Sequence, residues 1–316
     1  MAIFIFALLF AMGPRAFAES SSISAPSITF KLTRKAKRKI RAKVRAAQGK
    51  GFDHEVTDIQ MRAASGAQTK FSSSYMIHYW GPAINDLGSG NRPLIGGIRQ
   101  QSPVSVDGDI GLRYRFNEND SLFLAVGLYK SDPLHTSEAS KPMTVNTPQI
   151  NFNSTRRVAG VEVASDTVAY ITTIPWQLKY NQIGKLAEYV TFLKSIGLSR
   201  FDTGAWVNVS YTAYGNERVS NLVASKQNDF DLVVAPTLDF RPTRNTKLWS
   251  SIGLVNLMHY RSNPGFSGFT PQALTGYFGL GVAIVRNLYV DPYVQFEPTQ
   301  MALNKTIFNL SSDMNF

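Results

Sequence analysis

Arginine and aspartate side chains recur at alternate positions within apolar segments of this 316-residue chain. Arg113 and Arg115 alternate with apolar residues on one segment, and Asp231 and Asp239 do so on another. Because successive side chains of a β-strand point to opposite faces, this spacing predicts one charged face and one apolar face. Charges of both signs around an enclosed aqueous space would select solutes electrostatically. The alternative is that these charges pair with one another and stiffen a wall.

The polar faces of these segments supply the candidate residues that would line such a space. They are Arg113, Arg115, Tyr129, Asp231, Asp239, Tyr277, Asp291, Tyr293 and Asp313. Buried charges are usually paired, so both interpretations of this set stay open at this point.

Other chemistry has little support in the sequence. The four histidines, His54, His78, His135 and His259, show no ligand spacing, and the chain has no cysteine, so neither a metal nor a cofactor is predicted. An enzyme would use His78 or His259 as its catalytic histidine, and Ser262 is close to His259 in sequence. The spacing of these residues matches no known catalytic motif. The sequence predicts no enzyme, and a lipase or protease is the lesser alternative.

The last segment shows most clearly which elements would position these residues. Phe308, Leu310, Met314 and Phe316 fall on one face of an extended strand, with only Ser312 interrupting the apolar row. The other face is polar throughout. A strand between lipid and a watery lumen needs this pattern, so these four residues are predicted to face lipid.

Alternation and turn residues divide the rest of the chain into twelve antiparallel strands of an up-and-down transmembrane barrel. The predicted strands are 71–82, 103–116, 121–131, 147–157, 160–172, 187–201, 204–215, 229–240, 247–260, 273–285, 288–297 and 306–316. The short connections then fall on one side and the long ones on the other. Ten or fourteen strands remain possible, since 186–198 also has helical spacing and Pro236 and Pro292 each remove a ladder donor.

A soluble, lipocalin-like barrel would show the same alternation. Three features favour the membrane: strands long enough for a tilted crossing, charges suited to a watery lumen, and Phe116, Phe240 and Phe316 at matching heights, as in an aromatic belt.

The first 18 residues resemble a secretory signal peptide. An apolar run from Ala2 to Met12 is followed by Gly13-Pro14 and by a small-x-small site, which predicts cleavage after Ala18. Export to the cell outer membrane is therefore expected. Residues 19–70 would form an N-terminal periplasmic arm, and residues 71–316 the barrel.

One segment of this arm carries almost all of the net charge of +11. Residues 31–50 contain ten basic residues and no acid. Helical spacing of its apolar residues predicts a cationic helix. Arg34, Lys35, Arg38, Arg41 and Arg45 would bind an anionic surface such as lipopolysaccharide or peptidoglycan; a solvated extension and a plug in the lumen are the other two interpretations. Nucleic acid is not expected as a partner, because no aromatic residue interrupts the basic run.

The signal peptide, the long hairpins and the final strand ending at Phe316 resemble Gram-negative outer-membrane β-barrel proteins of the porin-like kind. The resemblance is architectural, covers residues 71–316 and indicates no subfamily. It implies residence in the lipid bilayer and recognition of Phe308, Leu310, Met314 and Phe316 by the outer-membrane assembly machinery. It also leads to a function hypothesis: a passive channel for small hydrophilic solutes. A structural protein held to the cell wall by its basic arm is the alternative.

Overall fold

The computed structural model describes residues 56–94, 103–134, 143–197, 200–215, 227–261, 268–272 and 274–316. The predicted signal peptide and basic segment 31–50 lie outside these residues. These residues include two short α-helices, α1 (Ile59–Ala64) and α2 (Pro175–Lys179), and two 3₁₀ turns at Pro298–Gln300 and Leu303–Lys305. No helix in the described part of the chain is both long and apolar enough to cross a membrane.

Fourteen strands of the described segments form one antiparallel sheet. They are β1 (Phe71–Ala83), β2 (Ser105–Arg115), β3 (Asp120–Ser131), β4 (Thr144–Val158), β5 (Val161–Ile171), β6 (Gln182–Ser195), β7 (Phe201–Tyr214), β8 (Asn228–Phe240), β9 (Thr246–Gly253), β10 (Val255–Tyr260), β11 (Phe269–Pro271), β12 (Thr275–Val285), β13 (Leu288–Phe296) and β14 (Ile307–Asn315). β9 and β10 are two halves of one barrel strand, and β11 is a short partner of β10 in the following loop. The wall therefore has twelve strands, as predicted.

Pairing of the first and last strands closes the barrel. β1 is antiparallel to β14, with Ser74 opposite Asn315 and Tyr79 opposite Leu310. Every other barrel strand pairs with its neighbour in sequence, and β8 joins both β9 and β10. Closure leaves the wall without an open edge, which membrane-spanning sheets require because lipid offers no hydrogen bonds.

The alternative helix at 186–198 is wrong. Residues 182–195 form β6, which pairs with β5 and β7 along its length. The strand is favoured because hydrogen bonds to β5 and β7 satisfy its backbone groups. A helix there would leave the facing edges of β5 and β7 unpaired within the membrane. Helical structure occurs instead at α2, in the connection that precedes β6.

Both prolines within predicted strands lie at interruptions of the ladder. Pro236 is located where β8 changes partner from β9 to β10, and the register skips one residue there. Pro292 pairs with Leu310 of β14. On its other side, the pairing of β13 with β12 is interrupted between Tyr293 and Val290. A proline lacks the N–H that a ladder uses, so these interruptions are the expected local response.

The outer face of the wall is apolar, which excludes the soluble, lipocalin-like alternative. Large side chains on outward positions are exposed in the absence of lipid, including Leu112, Leu124, Ile150, Leu186, Leu238, Phe278 and Ile284. Glu188 is an exception on this face, and its carboxylate hydrogen-bonds to Thr167. A soluble barrel would bury this surface or replace it with polar groups.

Aromatic rings gather on the outer face near the short turns. Phe71 contacts Tyr114, Tyr114 contacts Phe116, and Tyr75 contacts Phe316, with ring centroids 5.0, 5.1 and 6.3 Å apart. Phe201 and Phe240 form a similar pair at 4.8 Å. Such rings suit the interface between hydrocarbon and headgroups. This end of the barrel is called the short-turn end below, and the opposite one the outer end.

Candidate functional site: the barrel lumen

The inner face of the wall surrounds a polar lumen. All nine predicted lining residues occupy inward positions of their strands, including Tyr129 of β3 and Asp313 of β14. A cavity of about 470 Å³ runs between side chains of α1 at one end and Trp80, Tyr277 and Tyr293 near the other. The predicted lipid-facing residues Phe308, Leu310, Met314 and Phe316 lie on outward positions, although Met314 is only 7% exposed.

Residues 56–67, which precede the first strand, lie inside the lumen at the short-turn end. They are called the inserted segment, and α1 is their helical part. The Asp58 carboxylate caps this helix by accepting hydrogen bonds from the Gln60 and Met61 amides, at 3.0 and 2.8 Å. Asp58 itself is only 2% exposed. Oδ1 of Asp58 caps the helix and fixes its first residue, and Oδ2 points toward the barrel wall.

Lys247 of β9 binds that second oxygen. Its Nζ lies 3.1 Å from Asp58 Oδ2, 3.3 Å from Asp239 Oδ2 of β8 and 3.0 Å from Gln60 Oε1. The lysine and both carboxylates are almost fully buried. A buried ammonium between two carboxylates is stable only while each member keeps its partners. Asp239, predicted as a lining residue, therefore helps to hold the inserted segment.

The opposite side of the wall grips the same turn of the segment. Glu162 of β5 accepts hydrogen bonds from the Thr57 amide, the Thr57 hydroxyl and the Asp58 amide, at 2.8, 2.6 and 2.8 Å. Arg241, in the turn between β8 and β9, donates to the Thr57 hydroxyl at 3.0 Å and forms an ion pair with Asp202 at 2.6 Å. Thr57 and Asp58 are thus held by groups from both sides of the lumen.

Arg115 and Asn315 secure the other end of the inserted segment. Arg115 donates to the carbonyls of Ser65, Gly66 and Ala67, and Asn315 donates to the Ala63 carbonyl at 2.9 Å. The carbonyls of Ser65, Gly66 and Ala67 follow α1, so no later turn of the helix can donate to them. The Ala63 carbonyl lies in the last turn of α1 and also accepts from the Gly66 amide at 2.9 Å. Arginine and asparagine side chains of the wall take that role.

Gly66 is required where the inserted segment passes the wall. Its φ of +82° lies in the left-handed region, and an added Cβ would come within 2.7 Å of the Arg113 side chain. Only glycine satisfies both conditions without strain or displacement.

Apolar contacts complete the packing of α1. Ile59 and Ala63 form a buried cluster with Ala283 and Tyr289 of the wall. Val56 and Met61 form a second cluster with Leu193 on the opposite side. The helix therefore presents apolar groups to two parts of the wall, and polar groups hold its ends.

Arg113 lies above the inserted segment and is bound by neutral groups. Its guanidinium donates to Asn153 at 2.6 Å, Ser121 at 3.0 Å and Ser74 at 3.1 Å, and it stacks over Phe123 at 5.1 Å. Asp166 is reached only through Asn153, whose amide donates to it at 2.6 Å. The two interpretations of the lumenal charges therefore each apply to part of the wall. Asp239 pairs with Lys247, whereas Arg113 keeps a charge that faces the cavity and is hydrogen-bonded to neutral groups.

Sequence reasoning missed the tryptophans of the lumen. Trp80, Trp206 and Trp249 line the cavity, and Trp249 donates to Asp291 at 2.8 Å. Trp249 shares its face of β9 with Lys247, so alternation alone could have placed it inside. Tryptophans in membrane proteins are expected at the interfaces, and that expectation hides this lumenal set.

Carboxylates outnumber basic side chains on inward positions of the described strands. The acids are Asp107, Asp109, Glu162, Asp166, Asp202, Asp231, Asp239, Asp291 and Asp313, and the bases are Arg113, Arg115, Arg157, Lys185 and Lys247. Lys185 and Asp231 lie 3.8 Å apart. An excess of fixed negative charge on a lumen wall attracts cations.

The candidate catalytic histidines lie far apart in the wall. His78 of β1 faces the lumen with Nδ1 3.6 Å from Asp107, and His259 of β10 contacts Asp229 at 2.6 Å near the outer end. Ser262, the serine predicted near His259, lies outside the described residues, as do His54 and His135. The same holds for Arg34, Lys35, Arg38, Arg41 and Arg45.

Protonation of Asp58 is expected to loosen the inserted segment. Burial opposes ionisation of this carboxyl, but Lys247, the Met61 amide and Arg241 outweigh burial and hold its pKa below the usual 3.8. A lowered pKa stabilises the folded form above the usual value and ceases to do so as the pH falls through the lowered one. Hydrogen-exchange protection of residues 56–67, corrected for intrinsic rates, should therefore be constant at neutral pH and fall only below pH 3.8.

Asp58→Asn is the matched control, since asparagine keeps the helix cap but carries no charge. Its protection should already be reduced at pH 7. Both proteins contain the same other carboxylates around the inserted segment, so the difference between the two curves isolates Asp58. Identical curves would contradict this assignment.

The closed barrel, apolar outside and polar inside, defines the chain as a twelve-stranded β-barrel of the outer-membrane type. No protein-family model matches the chain, and no curated protein matches it either. Solved structures do. An outer membrane channel from Pseudomonas putida F1 is 10% identical, and the alignment covers 80% of this chain and 98% of the channel, with a TM-score of 0.46.

Two porins give similar values. The NanC porin is 7% identical over 77% of this chain and 98% of its own, with a TM-score of 0.41. The KdgM porin, solved in complex with disordered oligogalacturonate, is 7% identical over 78% of this chain and 99% of its own, with a TM-score of 0.40. At these TM-scores the function has to be argued from the lumen of this chain itself.

Proposed function

We propose that the protein is a passive channel for small hydrophilic solutes across the outer membrane, narrowed at its short-turn end by the inserted segment. The observation that carries this proposal is the charged, aromatic lumen with its cavity of about 470 Å³. A wall that only had to be stable could fill this space with apolar side chains, as small barrels do. Unfilled polar space inside a membrane barrel suits the passage of water and solutes.

Conductance in a planar lipid bilayer tests the proposal. Purified, refolded protein should give discrete current steps with a preference for cations over anions, because the lumen carries excess carboxylates. Weakening the inserted segment by Glu162→Gln should enlarge the steps, since Glu162 accepts three of its hydrogen bonds. Silent bilayers with both proteins would refute a channel.

A labelling experiment tests whether water reaches the inserted segment from the outer end. The chain has no cysteine, so single cysteines can be placed without background. Ala64 lines the cavity and is exposed, whereas Ala63 is 1% exposed. Ala64→Cys should react with a small, membrane-impermeant maleimide added outside intact cells, and Ala63→Cys should not. Equal protection of both would mean that the lumen is closed above α1.

A structural protein attached to the cell wall is the second candidate. The tight anchoring of the inserted segment favours it, because a segment held by Lys247, Glu162, Arg115 and Asn315 also suits an arm that bears load. The predicted anionic-surface residues Arg34, Lys35, Arg38, Arg41 and Arg45 would then bind peptidoglycan or lipopolysaccharide. Binding to purified peptidoglycan that is lost when all five become Gln, together with silent bilayers, would support this candidate instead.

The proposal includes export and assembly. Cleavage after Ala18 would leave Glu19 as the first residue of the mature protein, which N-terminal sequencing of the membrane-extracted protein tests. Phe316 lies on the outward face, where it is 66% exposed, and in this proposal the assembly machinery recognises it. Deletion of Phe316 should reduce the amount of heat-modifiable protein in outer-membrane extracts.

A further inference from the structure

A box of aromatic and polar side chains lies at the outer end of the lumen. Trp80 of β1, Tyr277 of β12 and Tyr293 of β13 face inward there, and the two tyrosine rings are 6.3 Å apart. Asp107 of β2 accepts a hydrogen bond from the Trp80 indole at 2.8 Å. Gln295 lies one inward position beyond Tyr293. These five residues are called the aromatic box.

The box holds a cation supplied by the chain itself. Arg92, in the connection between β1 and β2, places its guanidinium carbon 5.0 Å from the centre of the Trp80 ring. Its Nη2 donates a long hydrogen bond of 3.5 Å to Gln295. Burial lowers the pKa of Arg92 from its usual value, and the nearby Tyr293, Asp107 and Tyr277 oppose that shift.

Backbone pairing sets the position of this arginine. Asn91 forms a β-bridge with Pro103, and the Val104 amide donates to the Gly90 carbonyl at 2.8 Å. The Asp132 amide in turn donates to the Val104 carbonyl at 2.6 Å. Arg92 therefore directly follows a segment whose backbone is held by hydrogen bonds to residues 103 and 104.

We infer that the aromatic box is a binding site for solutes that carry a guanidinium group, and that Arg92 occupies it as a tethered competitor. A guanidinium stacks on an aromatic face and is attracted by its π electrons. Asp107 supplies the opposite charge at the edge of the same indole, and Gln295 offers a neutral acceptor. The excess of lumenal carboxylates draws cations toward this position.

This inference rests on the proposed channel, since it names the class of solute that the lumen takes up. An exchange between Arg92 and an incoming guanidinium keeps the box occupied by one cation at a time. A tethered group has a high effective concentration, so the free solute binds weakly while Arg92 is present.

Equilibrium binding in detergent solution tests the inference without a bilayer. The probe is methylguanidinium chloride, and methylurea is its neutral counterpart of similar shape. Arg92→Ala should bind methylguanidinium about tenfold more tightly than the natural chain, because the competitor has been removed. Arg156→Ala is the matched control and should not change the affinity, since Arg156 is 55% exposed and bonds to Asp120 near the short turns.

Second substitutions localise the site. In the Arg92→Ala background, Trp80→Leu and Asp107→Asn should each remove most of the added affinity, and heat-modifiable migration shows that the variants are folded. Equal affinity of the natural chain and Arg92→Ala would overturn the inference. Equal binding of methylurea, or binding that persists in Arg92→Ala/Trp80→Leu, would overturn it as well.

Failure of the channel would look different. Tight methylguanidinium binding by Arg92→Ala with silent bilayers would leave the site in place and refute passage through the lumen. Conductance without methylguanidinium binding would support the channel and refute the guanidinium site.

Discussion

Replacing Lys247 by methionine should release the inserted segment from the lumen. The substitution keeps an unbranched side chain, one heavy atom shorter, but removes the ammonium that lies between the buried carboxylates of Asp58 and Asp239, each less than 5% exposed. Removing one partner of a buried ion pair costs about 3–5 kcal/mol. Hydrogen-exchange protection of residues 56–67 should accordingly fall by roughly a hundredfold or more, with 1.4 kcal/mol per factor of ten.

Two further variants separate charge from packing. Lys185→Met removes a lysine of the same wall whose side chain is 30% exposed and 3.8 Å from Asp231, so it should change the protection of residues 56–67 little. Lys247→Met combined with Asp58→Asn and Asp239→Asn removes the uncompensated charges and should restore part of the protection. If the triple variant is as loose as Lys247→Met alone, the lysine acts by packing and the charge argument is wrong.

Replacing Tyr289 by alanine should destabilise both the inserted segment and the wall. Among the described residues Tyr289 is the largest fully buried side chain, at 0% exposed, and it packs against Ile59 and Ala63 of α1. Gly281 on the neighbouring strand has no room for a side chain, because an added Cβ would lie 2.1 Å from the Tyr289 hydroxyl oxygen. Losing a buried aromatic ring costs about 3–5 kcal/mol, so the urea midpoint followed by tryptophan fluorescence should drop clearly.

Tyr289→Phe provides the matched control. The Tyr289 hydroxyl is buried and has no hydrogen-bond partner among the described residues. Removing it should change the free energy of unfolding by no more than about 1 kcal/mol, and stabilisation is the expected direction. If Tyr289→Phe lowered the free energy of unfolding as much as Tyr289→Ala, the hydroxyl group and not the packing of the ring would account for the stabilisation.

The sequence alone predicted the wall because strand alternation is a local property. Side chains two residues apart share a face whatever the partner strand is, so inward Arg113 and Asp291 and outward Leu310 follow from spacing. The same spacing, with turn residues, gave twelve strands and the order of short and long connections. Helical spacing in 186–198 was misleading there, since pairing with both neighbours decides for a strand.

The contents of the lumen were decided only by the tertiary structure. The inserted segment is held by Glu162, Lys247 and Asn315, which lie 105, 189 and 252 positions from their partners Thr57, Asp58 and Ala63. No local pattern in residues 56–67 encodes those partners, because they meet only when β14 closes on β1. Likewise, Arg92 contacts both Trp80 of β1 and Gln295 of β13 only because barrel closure brings these strands together, with β14 alone between them. Spacing along the chain assigns each side chain to a face, whereas closure of the barrel determines which side chains face one another across the lumen.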